Sequence, residues 1–215
     1  PKGREDLTSI PLVTIDDEDA RDFDDAVWAE PDTSENNLGG WNLMIAIADV
    51  AAYVKPGSAL DKEAQDRGNS VYLPSKVIPM LPEALSNDWC SLKPGEDRAC
   101  VAVRISINKE GNTLNYRFTR GIIRSGARLT YSQVQAHRNG TPSPQTEFLG
   151  EQLDNLYGAY TSLKRARKKR KTLDFDLPEK RITLGKRGEV LSVDARPIYE
   201  SHKLIEEFMI LANVA

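Results

Sequence analysis

"TIDDEDARDFDDA", residues 14–26, is entered from the apolar run "IPLVTI" (10–15) and left through "DAVWAE" (25–30). Between Asp16 and Asp25 stand seven acidic side chains, and Arg21 alone offsets them, leaving a local excess of six negative charges. A charge run in a tail is simply solvated. This one lies between two apolar segments, and that placement predicts strand, acidic loop, strand. The next apolar segment, "WNLMIAIADV" (41–50), is nearly continuous in its apolar character and reads as a central strand buried on both faces. The polar cluster "PDTSENNLGG" (31–40) between them is a turn signal. Together these segments predict an antiparallel sheet with the acidic loop at one end.

Working outward, "GSALDKEAQDRG" (57–68) reads as a helix, with Ser58 as N-cap and Gly68 as the stop. "VYLPSKVIPMLPEAL" (71–85) carries Pro74, Pro79 and Pro82, so it is expected to be extended and irregular rather than one element. "ACVAVRISIN" (99–108) and "TLNYRFTRGIIRS" (113–125) flank "KEGN" (109–112), a hairpin signal. A long helix is expected over 147–171, where Leu153, Leu156, Tyr160 and Leu163 fall at helical spacing. A second hairpin follows over 181–197, and then a largely apolar helix over 201–215. The mixture predicts an α+β fold, a mixed and largely antiparallel sheet with helices packed around it.

The chain has 215 residues and a formal net charge of −3, so general attraction to nucleic acid or anionic membrane is not expected and any such partner needs a local patch. Cys90 and Cys100 are the only cysteines, too few for a disulfide framework; free thiols in a reducing cytoplasm are expected, which makes the localisation reading cytoplasmic. The apolar runs are too short for a membrane span, and the N-terminal "PKGREDLTS" lacks a signal-peptide core.

The acidic loop admits three explanations: a solvated loop, a calcium loop, or a magnesium site serving phosphate chemistry. Counted from Asp16, the EF-hand pattern needs glycine at the sixth position and glutamate at the twelfth, where this chain has Arg21 and Val27. Mg²⁺ takes a few carboxylates and completes its shell with water and phosphate oxygens. Composition leaves that site and the solvated loop equally open. Fully extended, the nine steps from Asp16 to Asp25 would span about 30 Å, whereas paired catalytic ions sit about 4 Å apart. A shared site therefore requires the loop to curl. Asp22 and Asp24 would share a face in a strand and Asp25 would not. Zinc is disfavoured, since the chain has only His137 and His202 and no cysteine pair at ligand spacing; both histidines are expected at the surface.

"TIDDEDARDFDDA", followed by "IAIADVAAYVKPGSALDKEAQDRGNSVYLPSKVIPMLPEALSNDWCSLKPGEDR" and later by "SHKLIEEFMILAN", closely resembles the catalytic domain of the ribonuclease II / ribonuclease R family of exoribonucleases. The resemblance runs through essentially the whole chain, in order. It implies Mg²⁺-dependent, two-metal hydrolysis of RNA from the 3′ end, releasing nucleoside 5′-monophosphates. Carried over by position, the family's active-site and metal-binding aspartates fall on Asp16, Asp22, Asp24 and Asp25. Asp17 and Asp19 fall at variable, solvated positions. The aromatic clamp on the terminal bases falls on Tyr72 and Phe175, and contacts to the 3′-terminal nucleotides fall on Tyr131 and Glu206. From the residues alone, each aromatic reads more readily as ordinary packing. "LKRARKKRK" (163–171), with seven basic residues in nine, reads either as a solvated helix end or as a phosphate-contacting stretch.

The resemblance further implies that residues 1–215 are the N-terminal part of an incomplete RNB-type catalytic domain. The remainder of that domain and flanking OB-fold domains are expected in the full-length protein, and the isolated chain is expected to be inactive. The competing expectation is an RNA-binding or interaction fragment that does not turn over. A calcium-binding structural domain is a third.

Overall fold

The computed structural model describes residues 3–172, 180–185 and 187–215. Its strands are β1 (Glu5–Asp6), β2 (Val13–Asp16), β3 (Asp25–Pro31), β4 (Trp41–Ala48), β5 (Val71–Leu73), β6 (Lys76–Ile78), β7 (Asp97–Ile107), β8 (Thr113–Arg124), β9 (Ala127–Thr130), β10 (Lys180–Leu184) and β11 (Val190–Ala195). Its helices are α1 (Ala59–Arg67), α2 (Tyr131–Arg138), α3 (Pro144–Phe148), α4 (Gly150–Arg170) and α5 (Glu200–Val214). Seven strands form one sheet in the order β1-β8-β7-β4-β3-β2-β9, and β5-β6 and β10-β11 are separate hairpins. The pairs β1·β8 and β2·β9 are parallel; the other pairs of the large sheet are antiparallel. The α+β expectation holds, and the sheet is larger than the three strands first legible.

β4 lies at the centre of this sheet, which explains its unbroken apolar character. Leu43 and Ile45 face a core that they share with Val103, Ile105 and the helical residues Leu153, Leu156, Leu204 and Phe208. Met44 and Ala46 face a second core on the other side, built with Leu7, Phe23, Leu85 and Leu92. A strand buried on both faces cannot alternate in polarity. The helical stripe read from the sequence is the buried stripe of α4: Leu153, Leu156, Tyr160 and Leu163 are all at most 4% exposed.

Local signals account for most boundaries. Ser58 caps α1 by accepting from the Asp61 N–H at 3.2 Å, and Gly68 ends it at φ +76°. Thr130 caps α2 in a reciprocal box, with its hydroxyl accepting from the Gln133 N–H and the Gln133 side chain accepting from the Thr130 N–H. The expected helix over 147–171 is two helices, α3 and α4, broken at Leu149. The proline-rich segment contains the short hairpin β5-β6 and then a π-helical turn, Leu85–Trp89. Cys90 and Cys100 are buried free thiols. The last helix buries Leu204, Ile205 and Phe208, while Val214 near its end is 80% exposed. No helix among the described residues is long and apolar enough to cross a membrane.

α4 approaches the sheet closely because Gly158 faces Trp41. A Cβ at position 158 would lie 2.3 Å from Trp41 Cη2, inside any permissible contact. Alanine is the better helix former by about 1 kcal/mol, but overpacking against a rigid indole costs about 1–3 kcal/mol. Gly158→Ala is therefore expected to destabilise the chain by up to about 2 kcal/mol in urea unfolding, with an unchanged or higher midpoint showing that the helix is free to move away.

Candidate active site

Asp16 is the last residue of β2 and Asp25 the first of β3. The two strands pair antiparallel through Val13 and Val27, so the two carboxylates stand at the same end of neighbouring strands. The loop between them, residues 17–24, curls as the spacing required. Phe23 turns inward and is only 8% exposed, packed in the second core. Its N–H donates to Ser91 Oγ at 3.0 Å, and that hydroxyl donates to the Arg21 carbonyl at 2.9 Å. The Phe23 carbonyl accepts from the Leu92 N–H and the Asp24 carbonyl from the Ala48 N–H, each at 2.8 Å. With Phe23 anchored below, Asp22 and Asp24 on either side of it project together, as alternation along an extended chain predicts.

The charges couple. Burial, followed by the charges of Asp25 and Asp24, raises the Asp16 carboxyl from the usual carboxylate range to about 7, and Arg128 opposes that rise. Burial and then Asp24 raise Asp25 to about 6. Asp24 is raised as well, first by partial desolvation and then by Asp22. Asp16 Oδ2 and Asp25 Oδ2 are buried and have no hydrogen-bond partner. A buried carboxylate oxygen without a donor is costly unless a proton or a cation joins it. The donor set, carboxylate oxygen throughout, suits a hard divalent cation such as Mg²⁺. Among the described residues no three carboxylate, imidazole or thiol groups already stand at the spacing of a finished metal cage. The site thus supplies orphaned ligand oxygens without a closed cage, which fits an ion that keeps water and substrate oxygens in its shell.

Two of the four expected RNA-contacting residues lie beside this cluster. Tyr72 projects from the exposed hairpin β5-β6 and is 69% exposed. Its hydroxyl is held un-ionised by desolvation, then by the charges of Asp22 and Asp24, with a hydrogen bond to Asp22. Tyr131 opens α2. Its hydroxyl is pushed up by burial and then by Asp25 and Asp16, so it too faces the carboxylates. One face of the Tyr131 ring is already taken by His202, whose centroid lies 4.0 Å away at an interplanar angle of 18°.

Glu206 makes its ion pair with Arg167 at 3.0 Å, which ties it to the basic end of α4. Its neighbour Glu207 is buried, contacts Arg167 and lies 3.9 Å from Arg170. Phe175 lies outside the described residues. The basic run is accordingly of two kinds, with Arg167 committed to a structural pair and Lys168 and Lys169 exposed. The histidines depart from the expectation of a surface position. His202 Nδ1 accepts from the Tyr199 N–H at 3.0 Å and its ring stacks between tyrosines, while the His137 side chain is only 12% exposed and lies 3.5 Å from Asp154. Asp17, expected to be solvated, contacts Arg196.

Sequence reasoning missed Ser91 and Arg128, the residues that hold the loop. Arg128 Nη2 donates to the carbonyls of Asp17 at 2.9 Å and Glu18 at 2.7 Å. Neither residue lies near the loop in sequence, and β9, which carries Arg128, was not anticipated as a strand.

The RNB domain family matches residues 4–215. Ribonuclease R of Vibrio parahaemolyticus is 46% identical over 215 residues, covering 99% of this chain and 25% of that protein. Ribonuclease R of Escherichia coli is 43% identical, with 99% of this chain and 26% of that protein covered. The structure of Mycoplasma genitalium RNase R in complex with ribose-methylated single-stranded RNA superposes with a TM-score of 0.92 at 31% identity, over 99% of this chain and 33% of that one. The chain spans about a quarter of the length of the curated relatives it matches. With the family's pattern extending from Arg4 to Ala215 and the same fold carried by an RNase R, the chain belongs to the RNB domain family.

Proposed function

We propose that this chain carries the catalytic aspartates of a hydrolytic 3′→5′ exoribonuclease that releases nucleoside 5′-monophosphates from single-stranded RNA. The observation that carries the reading is the curled loop, which gathers Asp16, Asp22, Asp24 and Asp25 with two buried carboxylate oxygens left unpaired. Membership of the RNB family and the RNA complex of the Mycoplasma genitalium relative support it.

In this reading the four aspartates would hold Mg²⁺, as a pair of ions, which would supply activation of water and neutralisation of charge at phosphorus. The protein's own part is positional. Phe23, Ser91 and the main chain of Ala48 and Leu92 fix the loop, so the carboxylates need no reorganisation when RNA arrives. Tyr72 offers an exposed ring beside Asp22 on which a terminal base stacks, an interaction indifferent to base identity. Tyr131 keeps its proton against the neighbouring carboxylates and so presents a donor to RNA oxygens near the scissile bond. Phe175 and Glu206 remain candidates for the base clamp and the terminal nucleotide by resemblance alone. Exposed Lys168 and Lys169 offer phosphate contacts.

Turnover assays on the full-length protein, with RNA binding measured in parallel, test this. Asp24→Asn is expected to lower the hydrolysis rate at least about 1,000-fold while RNA affinity stays within about twofold, because a metal-holding carboxylate acts mainly in the transition state. Near-normal turnover of that variant in Mg²⁺ would defeat the assignment. A wild-type protein that binds RNA and releases no mononucleotide would favour a binding module instead. Tyr72→Ala is expected to weaken short-RNA binding by about 1–3 kcal/mol without stopping catalysis; unchanged affinity and product length would remove Tyr72 from the clamp.

The carboxyls also predict a pH dependence. In the metal-free protein Asp16 and Asp25 titrate near 7 and 6, against 3.8 when unperturbed. Between about pH 4 and 7 the folded state therefore binds more protons than the unfolded state, and stability falls as pH rises. The metal-free melting temperature should decline over that window and level off above it. Mg²⁺ should raise it at pH 8, and Asp16→Asn should flatten the decline. An Asp16→Asn variant whose metal-free melting temperature follows the same pH course as the wild type would contradict the burial of these carboxyls.

A further inference from the structure

We infer that Arg128 is a positioning residue for the acidic loop, its guanidinium reaching across from β9 to hold residues 17–24 in the curl that brings Asp22 and Asp24 to Asp16 and Asp25. The inference rests on the exoribonuclease reading and concerns how that site is held.

β9 runs parallel to β2, with Arg128 in register with Thr14, two residues before Asp16. From there one terminal nitrogen donates to two successive main-chain carbonyls of the loop, Asp17 at 2.9 Å and Glu18 at 2.7 Å. The guanidinium carbon lies 5.3 Å from the centroid of the Phe23 ring, the side chain that anchors the other end of the loop. Nε is buried and has no partner. A single side chain thus grips the first turn of the loop and covers its apolar anchor.

The choice of partners is informative. A guanidinium beside a loop that carries seven carboxylates would ordinarily take one of them in a two-pronged pair. Here Arg128 donates to the main-chain oxygens of Asp17 and Glu18. Asp17 contacts Arg196 instead, and Glu18 accepts from Ser132 Oγ at 3.1 Å. The loop is therefore closed by a cation that leaves the oxygens of Asp16, Asp22, Asp24 and Asp25 uncommitted. Lysine could supply the charge but neither the planar face over Phe23 nor a terminal NH₂ group held in that plane with both of its N–H bonds directed at adjacent carbonyls.

The test uses full-length Arg128→Ala and Arg128→Lys, read by turnover, RNA affinity, the Mg²⁺ concentration for half-maximal rate, melting temperature, and hydrogen exchange of the amides of residues 17–24. Arg128→Ala is expected to slow turnover about 100-fold, the scale of a small misplacement of reacting groups. The Mg²⁺ midpoint should rise about tenfold or more, as loss of a supporting contact does at metal sites. RNA affinity should stay within about twofold, because Tyr72 and the exposed lysines of α4 are untouched. Arg128→Lys should melt close to the wild type and still be slow, and millimolar guanidinium should restore part of the rate of Arg128→Ala but none of Asp24→Asn. Wild-type turnover and Mg²⁺ midpoint in either variant would overturn the inference. So would equal losses in affinity and rate together with a collapsed melting temperature in both. If the wild-type protein itself degrades no RNA, the exoribonuclease reading fails, and hydrogen exchange still decides the clamp: faster exchange confined to residues 17–24 supports it, and unchanged exchange refutes it.

Discussion

Two half-buried carboxylates at the ends of adjacent strands set the terms for the rest of this fold. Asp16 and Asp25 are brought together by the antiparallel pairing of β2 and β3, and each keeps an oxygen that no protein donor satisfies. Left to itself, such a pair would push the strands apart or carry a proton. It stays in place because the strands cannot separate without opening both hydrophobic cores. β4 is buried on both faces, helices α4 and α5 cover one side, and the segments around Leu85 and Leu92 cover the other. The unfavourable electrostatics at the strand ends are offset by apolar burial elsewhere in the sheet. This is a common arrangement where a functional site must hold groups that local energetics would scatter.

The loop uses a different kind of restraint. Its side chains repel, so its shape is held mainly through its main chain. The carbonyls of Asp17, Glu18, Arg21, Phe23 and Asp24 are each taken by a donor from another part of the fold, and Phe23 is driven into the core. Main-chain contacts of this sort fix position without consuming carboxylate oxygens. The division is physically economical, since side-chain restraints would have competed with a cation for the same lone pairs.

Around the cluster the structure joins rigid and exposed parts. Tyr131 is fixed by stacking on His202 and by a link between α2 and α5, where Ser201 Oγ donates to the Tyr131 carbonyl at 2.8 Å and Gln135 accepts from the Glu200 N–H at 2.8 Å. Tyr72 belongs to a short hairpin whose apolar side chains, Val71, Leu73, Val77 and Ile78, are all exposed with it. One aromatic is thus held within the protein beside the carboxylates and the other is presented outward.

The sequence by itself determined the elements and the character of the site. Continuous apolar runs marked the buried strands, caps at Ser58 and Gly68 bounded α1, and seven acids between two strands announced a cation-binding or solvated loop. Spacing required the loop to curl, and resemblance to a known family picked out four of the seven acids. Tertiary structure alone decided how the curl is made. Arg128 and Ser91 are far from the loop in sequence and carry no local signature, and the parallel pairing of β9 with β2 that delivers Arg128 has no hairpin signal to reveal it. The same holds for the pairing of Glu206, a residue that the family resemblance places near RNA, with Arg167, and for the histidines, which composition leaves at the surface and packing draws between tyrosines and toward Asp154. Periodicity and turn chemistry act over a few residues and are written locally. The partner of a buried charge is chosen by whichever strand the fold brings alongside it.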